Sequence, residues 1–225
     1  MLSVVVPAHD EQEHIEACVR SLQLASSDPA LAGEPVQIVV ALDGCTDKTA
    51  EICRRLGCHA VVTEACNVGI ARALGADFAL ASGARWLAFT DADSVVAPNW
   101  LVAQLTQRTD AVCGTIQVRD WGEYGEAMRI QHENTYCDAD GHRHIHGANL
   151  GISSAAYLGV GGFQPLKSSE DVALVKALQI NGASIAWSAA PRVVTSARRN
   201  YRAPGGFGEA LARVERALVQ PGPAP

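Results

Sequence analysis

The segment Trp86-Leu87-Ala88-Phe89-Thr90-Asp91-Ala92-Asp93 joins a mostly apolar run to two carboxylates spaced i, i+2. The apolar run predicts a buried β-strand. Because side chains alternate along a strand, Asp91 and Asp93 are expected to point the same way. Carboxylates at the carboxyl end of a strand suit Mg²⁺ or Mn²⁺, and ligands bind at that edge of an open α/β sheet. The segment therefore predicts a site for a metal ion and a diphosphate. The alternative is a helix cap, which either Asp93 or Ser94 could supply.

Short apolar strands alternate with helical patterns on both sides of this segment. The predicted strands are Leu2–Val6, Val36–Leu42, His59–Thr63 and Trp86–Thr90. The predicted helices are Glu11–Leu24, Thr46–Leu56 and Ile70–Ala81. This alternating order predicts an α/β fold with a mostly parallel central sheet and helices on both faces.

The second half of the chain is less regular and predicts a smaller mixed region. Its predicted strands are Ala111–Val118, His144–Ile152, Ile185–Trp187 and Arg192–Thr195. Its predicted helices are Glu123–Cys137, Ser169–Asn181 and Phe207–Leu218. We expect one domain over residues 1–218 and a disordered tail over 219–225, where Pro, Gly and Ala dominate.

Composition excludes several classes of protein. The net charge of −6 argues against nucleic-acid binding, which needs a basic surface. No apolar run approaches the ~20 residues of a membrane span, so no integral membrane segment is expected. The opening residues have no basic region and predict a strand rather than a signal peptide. The 7 cysteines include no C-x-x-C pair, which favours reduced thiols and a cytoplasmic protein.

Seven motifs in order along the chain resemble the family 2 glycosyltransferases, which have the Rossmann-like GT-A fold. They are Val-Val-Val-Pro-Ala-His-Asp-Glu (4–11), Leu-Asp-Gly-Cys-Thr-Asp-Lys-Thr (42–49), Asn67/Gly69/Ala71/Arg72, Asp91-Ala92-Asp93, Gly147-Ala148-Asn149, Gly161-Gly162-Phe163 and Glu170-Asp171. The resemblance implies a nucleotide-diphosphate-sugar donor with UDP or GDP, Mn²⁺ or Mg²⁺ as cofactor, and inversion by single displacement. It further implies a nucleotide-sugar-binding half (1–95) and an acceptor-binding half (96–218). The His-rich and Arg-rich segments are similar to those of a bacterial subgroup of small members.

The resemblance also implies which residues bind the donor. These are Pro7, Ala8, Glu11, Asp43, Asn67, Arg72, Asp91, Ala92, Asp93, Arg198 and Arg199. Asp93 is expected to contact the metal directly, with Asp91 on the ribose or on the metal through water. Arg198 and Arg199 would neutralise the diphosphate and order a lid. The structural alternatives are a helix start at residues 7–11, a turn at Asp43, and solvated arginines.

The acidic pair Glu170-Asp171 is expected to supply the general base, with Asp171 the first choice. The alternative is a Ser-capped helix whose first turn contains two acids. The acceptor pocket is expected around His146, Gly147, Ala148 and Asn149. Three histidines, His142, His144 and His146, alternate along the predicted strand and could chelate Zn²⁺ or Ni²⁺, or instead line a polar pocket.

Two other classes of protein remain open at this point. A sugar nucleotidyltransferase would carry a Gly-rich, basic loop after the first strand, where this chain has Pro7-Ala8-His9-Asp10. A non-catalytic nucleotide-sugar-binding module would keep the donor site without needing Asp171. The acceptor is either a small soluble molecule or a lipid-linked one, and the sequence is compatible with a homodimer.

Overall fold

A computed structural model describes residues 1–201 and 206–219. Eight strands form one mixed sheet: β1 (Leu2–Ala8), β2 (Val36–Asp43), β3 (His59–Thr63), β4 (Trp86–Phe89), β5 (Val95–Val96), β6 (Ala111–Val118), β7 (Leu150–Ser153) and β8 (Ile185–Thr195). Their spatial order is β3-β2-β1-β4-β7-β6-β8-β5. The central strands β3, β2, β1 and β4 are parallel, and β7 is antiparallel to β4 and to β6. The prediction of an α/β fold with a mostly parallel central sheet is confirmed.

The described residues also form eight α-helices, the last of which follows β8. They are α1 (Ile15–Ser26), α2 (Thr49–Arg55), α3 (Val68–Ala81), α4 (Trp100–Leu105), α5 (Gly125–Thr135), α6 (Ser154–Gly159), α7 (Glu170–Ile180) and α8 (Phe207–Val219). Side chains alternate between the two faces of the sheet along β1, so each face carries its own apolar cluster. Val4 and Val6 belong to the apolar cluster with α1, whereas Val5 belongs to the cluster on the opposite face, with α3.

The second half departs from the predicted strands in two places. The predicted strand His144–Ile152 is wrong over its first six residues, because Gly147–Asn149 forms a 3₁₀ turn and β7 begins only at Leu150. The two short strands predicted over residues 185–195 are one strand, β8. Its register to β6 shifts between Gly114 and Thr115, so Ala189-Ala190-Pro191 forms a bulge that interrupts the strand pattern.

The helices α4 and α6 and the strand β5 were not predicted, since each is six residues or shorter. The predicted disordered tail falls almost wholly on residues 220–225, outside the described residues. Within residues 1–201 and 206–219, no helix is both long and apolar enough to cross a membrane.

Candidate active site

A cavity of about 650 Å³ lies at the carboxyl ends of β1, β2 and β4. This is the edge where open α/β sheets bind ligands. The predicted site residues that line it are Pro7, Ala8, Glu11, Asp43, Asn67, Arg72, Asp91, Ala92, Asp93, His146, Gly147, Ala148, Glu170, Asp171 and Arg198. Pro7 and Arg198, which are 191 positions apart in sequence, thus line the same cavity.

Asp43, the last residue of β2, lines the cavity. Its two carboxylate oxygens accept backbone N–H groups of Cys66 and Asn67, at 2.8 and 2.7 Å. Asn67 in turn caps α3, because its side-chain oxygen accepts the N–H of Ile70 at 3.1 Å. His9 bonds the backbone oxygen of Asp43 through Nδ1, at 2.6 Å. The carboxylate therefore fixes the loop that leads into α3.

Arg72, on α3, lies at the centre of a buried ion-pair network. Its guanidinium donates to Asp91 at 2.5 Å and also to Glu170. Both Arg72 and Glu170 are 4% exposed. Gly147 lies against the guanidinium so closely that a Cβ there would come within 2.3 Å of it. Arg72 therefore links the carboxylate that follows β4 to the first residue of α7.

Asp93 lies in an electrostatically unusual position. Burial, together with the neighbouring Asp91 carboxylate, raises the pKa of Asp93 to about 7, while Arg198 acts in the opposite direction. The Arg198 guanidinium is 3.2 Å from Asp93 and donates to both oxygens of Glu11, at 2.5 and 2.7 Å. One cation thus lies among three carboxylates.

The carboxylates fit a metal ion whose coordination is completed by a substrate. The described residues contain no group of three or more His, Cys, Asp or Glu side chains arranged to hold a metal. Mg²⁺ and similar hard cations are, however, commonly bound through one or two carboxylates together with substrate phosphates and water. Since burial beside Asp91 disfavours the charged form of Asp93, added positive charge there stabilises it. Asp93 and Asp91 would be the ligands.

The side chains of Asp171 and Glu170 have different partners although the two residues are adjacent in sequence. Asp171 accepts the N–H of Gly147 and that of Val172, both at 2.7 Å, and it lines the cavity. Glu170 is buried against Arg72. The alternative of a Ser-capped helix is not found, because Ser169 adopts a left-handed conformation with φ 59° and its side chain makes no cap hydrogen bond.

A sequence model of glycosyl transferase family 2 matches residues 3–158. The chain belongs to this family. The match covers β1 to β4 with Asp43, Asp91 and Asp93, and it extends through Gly147-Ala148-Asn149 to α6. No curated protein sequence matches the chain.

Solved glycosyltransferase structures share the fold at low sequence identity. S. aureus TarS 1–349 with UDP-GlcNAc is 16% identical with a TM-score of 0.65, over 100% of this chain and 68% of that chain. Mannosyltransferase PcManGT from Pyrobaculum calidifontis, with GDP-Man and Mn²⁺, is 18% identical with a TM-score of 0.64, over 97% and 62%. Glucosyl-3-phosphoglycerate synthase from Mycobacterium tuberculosis, with Mn²⁺, UDP and glucosyl-3-phosphoglycerate, is 20% identical with a TM-score of 0.60, over 97% and 77%.

These similarities establish the GT-A fold. The chain spans 66% of another TarS 1–349 structure and 40% of a longer TarS structure, so parts of those proteins have no counterpart here.

Two predicted site residues of this family 2 domain lie away from the cavity. Asn149 is 1% exposed and ties core elements together, since it accepts the indole N–H of Trp100 and donates to the backbone oxygens of Thr115 and Pro191. Arg199 turns to the outer surface, where it pairs with Glu215 and Glu123 and lies over the ring of Tyr124. These residues stabilise the fold around the site.

The three histidines do not converge on a common point for a metal. His142 and His144 stack with ring centroids 5.5 Å apart, and His144 and His146 with centroids 5.8 Å apart. Nδ1 of His142 accepts the backbone N–H of His144, and Nε2 of His144 accepts that of Cys137. The side-by-side stacking and these hydrogen bonds do not support the chelate hypothesis, whose premise of one shared strand face is wrong.

Several cavity residues were not predicted. Lys167 and Ser168 come from the loop before α7, and Tyr201 and Phe207 come from the segment after β8. Lys167 and Ser168 directly precede the acidic pair in sequence, which is the one signal that could have suggested them. No local sequence signal points to Tyr201 and Phe207, because they lie in the segment that follows Arg198 and its position relative to the cavity is set by the fold.

Proposed function

We propose that this domain transfers a sugar from a UDP- or GDP-linked donor to an acceptor hydroxyl, with inversion at the anomeric carbon. The observation that carries the proposal is the composition of the cavity at the carboxyl ends of β1, β2 and β4. It holds the adjacent carboxylates Asp91 and Asp93, the cation Arg198, and the separately held carboxylate of Asp171. Family membership over residues 3–158 supports the same class of reaction.

The donor would lie mainly against residues 1–95. Pro7, Ala8 and Asp43 would lie along the base and ribose, at the ends of β1 and β2. Asp93 would hold Mn²⁺ or Mg²⁺, which when bound would offset the negative charge of the diphosphate. Arg198 lies 3.2 Å from Asp93 and would add a second positive charge for the leaving nucleotide diphosphate.

Asp171 is the proposed general base. Its oxygens are oriented by two backbone N–H groups, and it has no cationic partner among the described residues, whereas Glu170 is bound to buried Arg72. Asp171 would accept the proton of the acceptor hydroxyl while that oxygen bonds to the anomeric carbon. The bond to the nucleotide diphosphate breaks on the opposite face. Such general-base catalysis contributes about 10²–10⁴ in rate.

The acceptor is proposed to enter beside His146, Gly147 and Ala148, next to Asp171. The two candidate acceptors are a small soluble molecule and a lipid-linked one. All seven cysteines lie in the described part of the chain and are free thiols, which supports a reducing, cytoplasmic setting.

Calorimetric titration of UDP and GDP, with and without Mn²⁺, tests the donor site. We expect one nucleotide to bind in a Mn²⁺-dependent manner, and Asp93→Ala to abolish that dependence. Asp77→Asn, an exposed carboxylate on α3, is the matched control and should bind like wild type. Equal binding by wild type and Asp93→Ala would contradict the assignment of Asp93.

Release of nucleotide diphosphate from UDP- and GDP-sugars tests the catalytic role of Asp171. Asp171→Asn should keep donor affinity and lose turnover by about 10²–10⁴. The amide keeps the shape of the side chain and one oxygen that can accept an N–H. Unchanged turnover in this variant would rule out Asp171 as the base, and a binding module would show no turnover in either protein.

A further inference from the structure

Tyr136, which follows α5, is fixed between two imidazole rings. The His144 ring stacks on Tyr136 with centroids 4.1 Å apart and an interplanar angle of 7°, and the His132 ring stacks at 4.8 Å and 21°. Neither His132 nor Tyr136 lines the large cavity. The phenol hydroxyl nevertheless reaches a residue that does, His146.

The hydrogen bonds of this hydroxyl show which atom accepts its proton. The backbone N–H of Ile116 donates to the Tyr136 oxygen at 2.9 Å, and His146 Nε2 lies 3.0 Å from the same oxygen. Among the described residues, Nε2 is the one acceptor within reach of the hydroxyl proton. Since a buried O–H is paired where a partner exists, Tyr136 donates and Nε2 accepts. A neutral imidazole that accepts at Nε2 carries its proton on Nδ1.

The Nδ1–H of His146 is available to a substrate. No described residue bonds to Nδ1, and the atom is not among the buried polar atoms that lack a partner, so it keeps contact with solvent. His146 lines the cavity, and the next residue, Gly147, donates its N–H to Asp171. Burial lowers the pKa of His146 to about 3, so the ring stays neutral near pH 7.

We propose that Tyr136 is a positioning residue that fixes His146 in the Nδ1–H tautomer, and that this N–H donates to a hydroxyl oxygen of the bound sugar or acceptor. The identity of that hydroxyl rests on the proposed function, whereas the tautomer does not. The neutral His146 ring would orient the substrate oxygen through its N–H. A cation at this position would instead pair with the Asp171 carboxylate, which is the group proposed to take up the proton.

Long-range ¹H–¹⁵N NMR of histidine-labelled protein at pH 7 reads the tautomer without any substrate. We expect His146 to be protonated on Nδ1 in wild type. In Tyr136→Phe the signal should move toward Nε2–H, because the phenyl ring keeps the stacking but has no hydroxyl. The His146 resonance is assigned as the one that is missing from the spectrum of His146→Asn. An Nε2–H tautomer in wild type, or an unchanged tautomer in Tyr136→Phe, would overturn the proposal.

A pair of substitutions tests the role of the donor atom in the reaction. The Asn amide N–H comes close to the position of Nδ1, whereas the longer Gln places it near Nε2. Turnover should therefore fall more in His146→Gln than in His146→Asn, and binding of the free nucleotide should match wild type in both. Equal or greater turnover in His146→Gln would refute the role of the Nδ1–H.

The same pair identifies which hydroxyl is bound. If it belongs to the donor sugar, His146→Gln weakens binding of the sugar nucleotide relative to the free nucleotide. If it belongs to the acceptor, donor binding stays at the wild-type value and the KM for the acceptor rises. Absence of transfer in wild-type protein would refute the proposed function, while the NMR result would still decide the tautomer.

Discussion

Arg198 donates two hydrogen bonds to the carboxylate of Glu11, at 2.5 and 2.7 Å, although 187 positions separate the two residues in sequence. Glu11 lies in the segment between β1 and α1, and Arg198 follows β8. The same guanidinium lies 3.2 Å from Asp93. The last part of the chain thus supplies positive charge at the carboxylates where we propose that a metal ion binds.

Arg198→Ala should change metal binding and donor binding in opposite directions. Removing the guanidinium takes away the cation that lies 3.2 Å from Asp93, so Mn²⁺ alone should bind more tightly. Donor affinity should fall by about 10- to 100-fold, the equivalent of losing a hydrogen bond to a charged group. Calorimetry with Mn²⁺ alone, and then with nucleotide and Mn²⁺ together, measures both effects.

Arg199→Ala is the matched control for that experiment. Arg199 is adjacent in sequence but pairs with Glu215 and Glu123 away from the cavity, so both affinities should equal those of wild type. Parallel loss of metal and donor binding in Arg198→Ala would contradict the competition between the guanidinium and the metal.

Arg72→Met should destabilise the fold as well as the site. The substitution leaves the Glu170 carboxylate buried without its partner, and breaking a buried pair in this way costs about 3–5 kcal/mol in the free energy of unfolding. Urea denaturation at pH 7 measures this loss.

The double variant Arg72→Met/Glu170→Leu separates the ion pair from simple packing. With both charges removed, we expect much of the lost stability to return, since apolar replacements of buried ion pairs are often neutral. A double variant no more stable than Arg72→Met would mean that Glu170 is not held as a buried charge.

Asn149→Ala should lower stability while leaving the site functional. The substitution removes the partners of the Trp100 indole N–H and of the backbone oxygens of Thr115 and Pro191, all in the interior. Unsatisfied buried groups of this kind cost about 1–3 kcal/mol each before relaxation. Asn181→Ala, at the exposed end of α7, should change stability by less than about 0.5 kcal/mol. Weakened nucleotide binding by folded Asn149→Ala would show that Asn149 acts on the donor.

The carboxylates at the strand ends could be predicted because strand ends are local features. Asp43 is the last residue of β2, and Asp91 is the second residue after β4. Apolar runs identify such strands, and parallel strands bring their carboxyl ends to one edge of the sheet. No contact between distant residues had to be known in advance.

The contacts made by the second half of the chain depend on distant residues that no local pattern encodes. Arg198 and Arg199 are adjacent and chemically identical, and their directions are set by Glu11 for one and Glu215 for the other. Asn149 lies in a motif beside the site, but the indole of Trp100 draws its side chain into the core. Charge and spacing alone cannot distinguish these outcomes.

Neutral His146 should make the folded protein sensitive to mild acid. Burial, with smaller contributions from the imidazoles of His144, His142 and His132, lowers the pKa of His146 to about 3. In the unfolded chain the ring titrates near about 6.5, so below that pH the unfolded state binds a proton that the folded state does not. The free energy of unfolding therefore falls with decreasing pH, and His146 alone accounts for about 2 kcal/mol between pH 7 and pH 5.

His146→Gln isolates this contribution, and urea denaturation of both proteins at pH 7 and pH 5 measures it. The free energy of unfolding of wild type should fall by about 2 kcal/mol more than that of the variant over this interval.

Two other groups also titrate in the folded protein. Arg85 and the N-terminus lower the pKa of Glu34 to about 2, so Glu34 loses its stabilising pairs only as the pH falls below its ordinary value of 4.5. Asp93 acts in the opposite sense, since its raised pKa of about 7 makes its contribution fall as the pH rises. Both groups are present in the two proteins, so their effects cancel in the difference. Identical pH dependence in the two proteins would contradict a buried, neutral His146.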